Sequence, residues 1–274
     1  MKIIFLPLKI KPEDVLPLLK IIKENNNRKK IEQETLKYYK QSSKHIDTPH
    51  LNPFRTRVPH SLRKLLLIKG EKNEYGLTTE GEYLYNFSDD FNRYRKELAK
   101  MILHIDIDKC KITEIFQQNK KTLSYNEIVD ILRNNNIIIS KSDDKLRRWL
   151  QFLTYCGILS YEPPLYTLNM SMLESLQVPE QNIPLKEFKK ILYQEYKKLK
   201  KGKGPYVSIP LLKSAVSEKL KQKGFSLFDF KSFLIKTIKE KSSKKINLHE
   251  TGVREGGGIM DDKVYYHFIS IREK

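Results

Sequence analysis

The chain has 274 residues, of which 39% are hydrophobic, 52 are Lys or Arg and 33 are Asp or Glu, giving a formal net charge of +19. This length predicts two or three compact units, and the apolar content is too high for a disordered chain. A run of about 18 apolar residues, which a membrane span requires, is missing, and the stretch MKIIFLPLKIKPEDV is charged too soon for a secretory signal. We therefore expect a folded, intracellular protein of the cytoplasm.

The excess positive charge requires an explanation, because like charges repel one another in a compact state. Nucleic acid is the expected partner, since counterion release favours each phosphate that a cation neutralises. A lysine-rich host composition is the alternative explanation. However, residues 185–245 carry 18 Lys, no Arg and only five acidic residues. Composition bias would raise lysine and glutamate together, so this concentration favours contact with a phosphate backbone.

The first predicted unit covers residues 10–89. Two helices precede a basic loop, QSSKHIDTPHLNPFRTR, and a short helix from Pro59 then leads to a strand. A Gly-containing turn follows, with a second strand around residues 75–77. Thr78 or Thr79 is placed to cap a further helix, because a Thr hydroxyl accepts a hydrogen bond from an amide of the first turn.

The second predicted unit covers residues 90–172 and begins with a long connecting helix over residues 91–104. Its third helix is expected to start at Ser142 as cap and to end at Gly157. A tight hairpin around Glu162-Pro163-Pro164 follows. The spacing i, i+3, i+4, i+7 predicts the inward side chains of the third helix, which are Leu146, Trp149, Leu150 and Leu153.

A linker over residues 173–184 separates this unit from the third predicted unit, residues 185–274. Its pattern again predicts helices followed by two strands. The predicted elements are helices over residues 185–199, 209–221 and 225–240, with Ser226 as a cap, and strands over 246–248 and 264–271.

The segment SYNEIVDILRNNNIIISKSDDKLRRWLQFLTYCGILSYEPPLYTL resembles helices two and three and the wing of the winged helix-turn-helix superfamily. The run LRKLLLIKGEKNEYGLTTEGEYLY is similar to the last helix and wing of winged-helix regulators, and the carboxyl-terminal unit has the same order with a longer wing. The resemblance is one of pattern and covers most of the chain. It implies a mainly α fold with small β-wings (α+β), built as three tandem winged-helix domains.

In that superfamily the third helix enters the major groove, and the wing touches flanking phosphates or the minor groove. Arg and Gln read base edges, whereas Lys acts as a point charge on phosphate. Ordinary solvated positions on a helix are the alternative interpretation of each such residue. The residues that the resemblance and the charge place at nucleic acid are Lys141, Lys145, Arg147, Arg148 and Gln151 in the second unit, Lys231, Ser232, Lys236 and Lys239 in the third, and Arg55, Arg57, Arg63 and Lys64 in the first.

A nuclease is the competing interpretation of a basic chain, since such enzymes hold a divalent metal on clustered carboxylates. Helix periodicity, helix capping and a hairpin turn explain the candidate carboxylates, and Gly256-Gly257-Gly258 lacks the Lys-Ser/Thr of a phosphate-binding loop. The six histidines are scattered, and Cys110 and Cys156 are expected to be buried free thiols. We therefore expect a non-enzymatic protein without a metal or another cofactor. The candidate carboxylates are Glu187, Glu195, Asp143-Asp144 and Asp261-Asp262.

The combined expectation is a DNA-binding protein, acting as a transcription regulator, a replication initiator or the recognition subunit of a restriction or antiviral defence complex. Double-stranded DNA is the favoured partner, and single-stranded nucleic acid or RNA is the weaker option. Neither a membrane nor a small-molecule substrate is expected. The alternative function is a winged-helix protein-interaction subunit in a larger nucleic-acid-processing assembly, because this fold also serves as a docking module.

Overall fold

A computed structural model of the chain describes residues 8–25, 27–42, 58–70, 75–135, 144–177, 183–200, 204–240, 244–250, 258–261 and 264–273. These residues are mainly helical with small antiparallel sheets, which confirms the predicted α+β character. They pack as two units. Unit 1 comprises Met1–Leu65, Gly70–Gly76 and Leu84–Leu176, and unit 2 comprises Leu66–Lys69, Leu77–Tyr83 and Gln177–Lys274. The division into three modules with boundaries at residues 89, 172 and 184 remains a prediction.

The described helices are numbered in chain order. In the first half they are α1 Val15–Glu24, α2 Arg28–Ser42, α3 Val58–Lys64, α4 Thr79–Tyr85, α5 Phe91–Ile105 and α6 Ile112–Gln118. In the second half they are α7 Tyr125–Asn134, α8 Asp144–Tyr155, α9 Met170–Gln177, α10 Leu185–Leu199, α11 Ile209–Leu220 and α12 Phe230–Lys239. Short 3-10 helices cover Pro12–Asp14, Lys221–Lys223 and Leu227–Asp229, and a π-helix covers Asp106–Cys110.

The described strands form three small sheets. They are β1 Ile68–Lys69, β2 Gly76–Leu77, β3 Thr122–Ser124, β4 Leu159–Glu162, β5 Leu165–Leu168, β6 Val207–Ser208, β7 Lys244–Glu250, β8 Ile259–Asp261 and β9 Val264–Glu273. Strand β1 pairs with β2, the second sheet has the order β3-β5-β4, and the third has the order β6-β9-β7 with β8 also on β9.

Unit 1 contains the element order α6-β3-α7-α8-β4-β5, and its first strand pairs with its last. The sequence pattern does not predict β3, because three residues are too few for an alternation to stand out. Ser124 ends this strand and begins α7 as a capping box. Its hydroxyl accepts a hydrogen bond from the Glu127 amide at 3.3 Å, and the Glu127 carboxylate accepts from the Ser124 amide at 2.7 Å.

A buried carboxylate, Asp106, joins three helices of unit 1. Its Oδ2 accepts hydrogen bonds from the Thr113 amide at 2.8 Å and the Thr113 hydroxyl at 2.7 Å. Its Oδ1 accepts from the Ile112 amide at 3.2 Å and from Trp149 Nε1 at 2.7 Å. Burial raises the pKa of Asp106, and these hydrogen bonds offset part of that rise. Asp106 therefore fixes the end of α5, the start of α6 and the middle of α8.

Unit 2 repeats the same element order as α10-β6-α11-α12-β7-β9, and β6 again pairs with the last strand. Phe188 lies at the centre of its core, with ring centroids 5.8 Å from Phe225, 5.9 Å from Phe230 and 5.1 Å from Phe233. These four rings are buried and join α10 to α12. Aromatic pairs at such distances add stabilisation of about 0.5–1.5 kcal/mol to their burial.

Two short segments from the first third of the chain belong to unit 2. Glu80 on α4 forms a buried ion pair with Lys213 on α11, with Oε1 and Nζ 2.7 Å apart. Tyr83 packs edge-on against Phe228, with ring centroids 5.7 Å apart. A Cβ atom at Gly81 would lie 2.1 Å from the Leu67 carbonyl oxygen, so the close approach of α4 requires glycine there.

Several predicted boundaries differ from the structure. The helix predicted over residues 225–240 is a 3-10 turn at Leu227–Asp229 followed by α12, although Ser226 caps the turn as predicted. Strands β6 and β8 were not predicted, since two or three residues carry little pattern. Gly157 does end α8, with a φ of +75° that favours glycine.

Replacing Asp106 with Asn is expected to destabilise unit 1 by about 2–3 kcal/mol. The amide group of Asn would face at least one backbone or indole N–H that can only donate, and that donor would remain buried without an acceptor. Trp149 is the single tryptophan of the chain, so its fluorescence during urea unfolding reports on this unit. The matched control is Asp90→Asn, because Asp90 is an exposed cap whose carboxylate accepts from the Arg93 amide and Asn caps equally well. Equal stability of the two variants would contradict the role of Asp106.

Candidate nucleic-acid interface

The face that α8 presents follows from the side chains that it buries. Leu146, Trp149, Leu150 and Leu153 are buried at the predicted positions, and Phe152 joins them. Lys145, Arg147 and Gln151 are consequently exposed, and Arg148 is half-buried. The structure therefore brings Arg147, Arg148 and Gln151 together on one surface of unit 1. The exposed Lys145 stands two residues before Arg147 and so lies on another side of the helix, and Lys141 lies outside the described residues.

Arg147 contacts Tyr125 of α7, and its charge also acts on the hairpin β4-β5. Its guanidinium carbon lies 4.2 Å from the ring centroid of Tyr125, which is a cation–π contact. The Arg147 charge also acts on Tyr166, where it opposes the rise in pKa that burial and Tyr161 cause. Tyr166 stacks on Tyr161 with ring centroids 4.5 Å apart. We call these four residues the Arg147 patch.

Arg148 and Gln151 act as a pair. Arg148 Nη1 donates a hydrogen bond to Gln151 Oε1 at 2.7 Å, so the two polar groups are presented together. The Arg148 charge also acts on Tyr39 of α2, whose pKa is raised mainly by burial. Arg148 is therefore partly engaged inside unit 1, whereas Arg147 keeps its guanidinium at the surface.

The aromatic members of the Arg147 patch were missed by the sequence analysis. Tyr161 and Tyr166 are directly opposite each other across the hairpin, and Tyr161 is 46% exposed. A Tyr-x4-Tyr spacing around Glu162-Pro163-Pro164-Leu165 is the signal that could have found the pair, because a tight hairpin places such residues in register. Tyr125 carried no comparable signal, since its contact with Arg147 is made across 22 residues.

The predicted basic residues of the first module lie in and around α3. Arg63 Nη2 donates to the Gly70 carbonyl oxygen at 2.7 Å, and its guanidinium carbon lies 5.4 Å from the Tyr75 ring centroid. Lys64 is exposed. Burial lowers the pKa of His60, and the charges of Lys64, Lys9 and Arg63 lower it further. These four residues form a cationic group that we call the His60 cluster. Arg55 and Arg57 lie outside the described residues.

Helix α12 presents the predicted residues of unit 2. Lys236 and Lys239 are exposed, while Lys231 and Ser232 are half-buried beside the buried Phe230, Phe233, Leu234 and Thr237. Ser232 donates its hydroxyl proton to the Asp229 carbonyl oxygen at 2.8 Å. This bond within the first turn leaves its hydroxyl oxygen as an acceptor.

The acidic residues of the lysine-rich region have structural roles. Four glutamates pair with lysines, and Asp229 accepts from the Ser226 amide at 2.8 Å in a capping box. The other exposed lysines that the structure describes in residues 185–245 add positive charge to the surface. The pairs are Glu187–Lys223, Glu195–Lys198, Glu218–Lys221 and Glu240–Lys189.

Two of the carboxylates considered for a nuclease site are engaged in ion pairs. Glu187 and Glu195 each pair with a lysine, as above, and Asp143 and Asp262 lie outside the described residues. Within the part of the chain that the structure describes, no group of three or more His, Cys, Asp or Glu side chains could hold a metal ion. Cys110 and Cys156 are buried free thiols, as predicted, and burial raises the pKa of Cys156 to about 12.

Comparison with protein-family models, with curated proteins and with solved structures finds no match to this chain. Among the described helices, none is long and apolar enough to cross a lipid bilayer.

The pKa of His60 should lie below the ordinary value of about 6.5, because burial and three nearby cations disfavour its protonated form. Added salt should raise the pKa by screening these charges. Lys64→Ala should raise it as well, whereas Lys29→Ala on the exposed side of α2 should not. Histidine NMR titrations, with His60→Gln for assignment, measure these shifts.

The pKa of His60 also predicts how the affinity for a polyanion should change with pH. A phosphate near the His60 cluster would raise the pKa of His60, so protons would be taken up on binding and affinity should rise as the pH falls through that pKa. A His60 pKa that DNA leaves unchanged would place the His60 cluster outside the interface.

Proposed function

We propose that this chain is a DNA-binding protein built of tandem winged-helix modules, with α8 and α12 as its reading helices. The observation that supports it best is the element order helix-strand-helix-helix-strand-strand, which occurs in both units with the first strand paired to the last. This order and pairing are those expected of a winged helix. In such modules the third helix enters the major groove.

The side chains on α8 and α12 support different roles for the two helices in DNA binding. Arg147, Arg148 and Gln151 on α8 carry the donors and acceptors that read base edges. Lys236 and Lys239 on α12 carry point charges, which suit phosphates. Binding strength is then expected to depend mainly on unit 2, and sequence discrimination on unit 1.

The contact between Arg147 and Tyr125 supports Arg147 as a residue that reads a base edge. A guanidinium held over a ring loses less freedom when it forms a second interaction, and its edge remains available for the bidentate contact with guanine. Lys145, two residues earlier and on another side of α8, is exposed and offers a separate phosphate contact.

The hairpin β4-β5 favours a second candidate function, protein docking. In winged-helix DNA binders the wing touches phosphates, yet this tip reads Glu162-Pro163-Pro164-Leu165, with one carboxylate and no cation. Tyr161 is 46% and Leu165 is 40% exposed. A protein partner that covers this tip should remain bound after nuclease treatment and high salt, and Leu165→Asp should release it.

Replacing Arg147 with Ala should reduce discrimination between a selected duplex and a scrambled one about 5- to 150-fold, which corresponds to 1–3 kcal/mol per base contact. Fluorescence anisotropy with duplexes chosen by selection from a random library measures this. The matched control is Arg93→Ala, because Arg93 is also exposed and holds its guanidinium carbon 4.5 Å from a ring centroid, that of Phe87.

The lysines of α12 should behave differently. Lys239→Ala should weaken binding to both duplexes equally and lower the slope of log affinity against log salt by about 1. A wild-type affinity that does not change with salt, or the absence of duplex binding at low salt, would contradict the proposed function.

A further inference from the structure

The sheet of unit 2 has a second face that the proposed reading helices do not use. Strand alternation turns Ile246, Leu248, Ile269 and Ile271 toward the core beneath the sheet. Their neighbours in sequence therefore lie on the opposite, outer face. The outer-face residues are Lys245, Asn247 and His249 on β7, Phe268, Ser270 and Arg272 on β9, and Tyr206 just before β6.

Two cations lie opposite each other at one end of this face. Lys245 and Arg272 are direct partners across β7 and β9, and both are exposed. Like charges in such a cross-strand position destabilise a sheet. Within the described residues neither forms an ion pair with a carboxylate, so an external anion is the group that would relieve the repulsion.

Exposed aromatic rings lie at the other end. Tyr206 is 52% and Phe268 is 36% exposed. His249 lies between them: its ring centroid is 4.7 Å from that of Tyr206, and it is the cross-strand partner of Phe268. A 2.8 Å hydrogen bond between His249 Nε2 and Ser270 Oγ holds the imidazole in place.

The distance between the two ends suits a short stretch of extended chain. His249 follows Lys245 by four positions on β7, which corresponds to about 13 Å along a strand. Asn247 lies between them on the same face, and its side-chain amide can donate and accept hydrogen bonds. Cations at one end and rings at the other match the two parts of a nucleotide chain, its phosphates and its bases.

We infer that this outer face binds single-stranded nucleic acid, with phosphates at Lys245 and Arg272 and unpaired bases stacked on Tyr206 and Phe268. Stacking on an exposed ring needs a base that is free on one side, which a duplex does not offer within its length. The site goes beyond the proposed function, since none of the residues assigned to duplex reading lies on it.

The test compares two probes on the full-length chain, a labelled oligothymidylate of about 12 nucleotides and a duplex of the same length. Tyr206→Ala combined with Phe268→Ala should weaken oligothymidylate binding about tenfold or more, because each stacked base contributes a factor of about 5 to 150. Duplex affinity should change by less than about twofold. Leu211→Ala is the matched control, since Leu211 is 60% exposed on α11 and lies outside this face.

Two further variants separate stacking from folding and from charge. Tyr206→Phe keeps the ring and should retain oligothymidylate affinity. Lys245→Gln with Arg272→Gln should lower the salt slope for the single strand by about 1.4, which is the value for two phosphate contacts. Photocrosslinking of the wild-type chain to a 5-iodouracil oligonucleotide, followed by peptide mapping, should label Tyr206 or Phe268.

The outcomes distinguish this site from the proposed function. Unchanged oligothymidylate binding in the double alanine variant, or crosslinks that avoid this face, would overturn the inference while duplex binding stands. An equal loss for both probes would also overturn it, because the face would then not select single strands. A wild-type chain that binds neither probe would overturn the inference and the proposed function together.

Discussion

The position of the proposed reading helix in unit 1 depends on one buried carboxylate. Asp106 accepts four hydrogen bonds, three of them from Ile112 and Thr113 in the first turn of α6 and one from the indole of Trp149 on α8. Hydrogen bonds to a charged group contribute about 1.5–3 kcal/mol each. Because Trp149 is fully buried and tied at its nitrogen, rotation of α8 about its axis is restricted. The exposed Arg147 and Gln151 are thereby held on one surface, with the half-buried Arg148 beside them.

In unit 2, acidic residues form ion pairs with lysines. Four glutamates of the lysine-rich region pair with lysines at the surface or its edge, and Glu80, from the first third of the chain, neutralises the buried Lys213. A buried ion pair adds little net stability, but loss of one partner would leave a charge without compensation. Glu80 and Lys213 therefore restrict how α4 can pack within unit 2. The other exposed lysines that the structure describes in unit 2 add positive charge to its surface.

The features that could be predicted were local ones. Helical periodicity correctly predicted the buried face of α8, and residue chemistry correctly predicted the cap at Ser226 and the end at Gly157. The short strands β3 and β6 were missed because their amides find partners on β5 and β9, more than 40 residues away. The same limit applies to the candidate sites: the basic helix faces could be inferred, but Tyr125, Tyr161 and Tyr166 around Arg147 could not.

The sequence by itself determined the α+β character, the faces of the longer helices and the concentration of lysine in residues 185–245. These follow from composition and from periods of two and 3.6 residues, which act within a few turns of chain. Only the tertiary structure decided which strands pair, which acids neutralise which lysines and which aromatic rings stay at the surface. Those choices depend on contacts between distant residues, such as Lys245 opposite Arg272 and Glu80 beside Lys213. A local pattern carries no information about a partner that long-range packing selects.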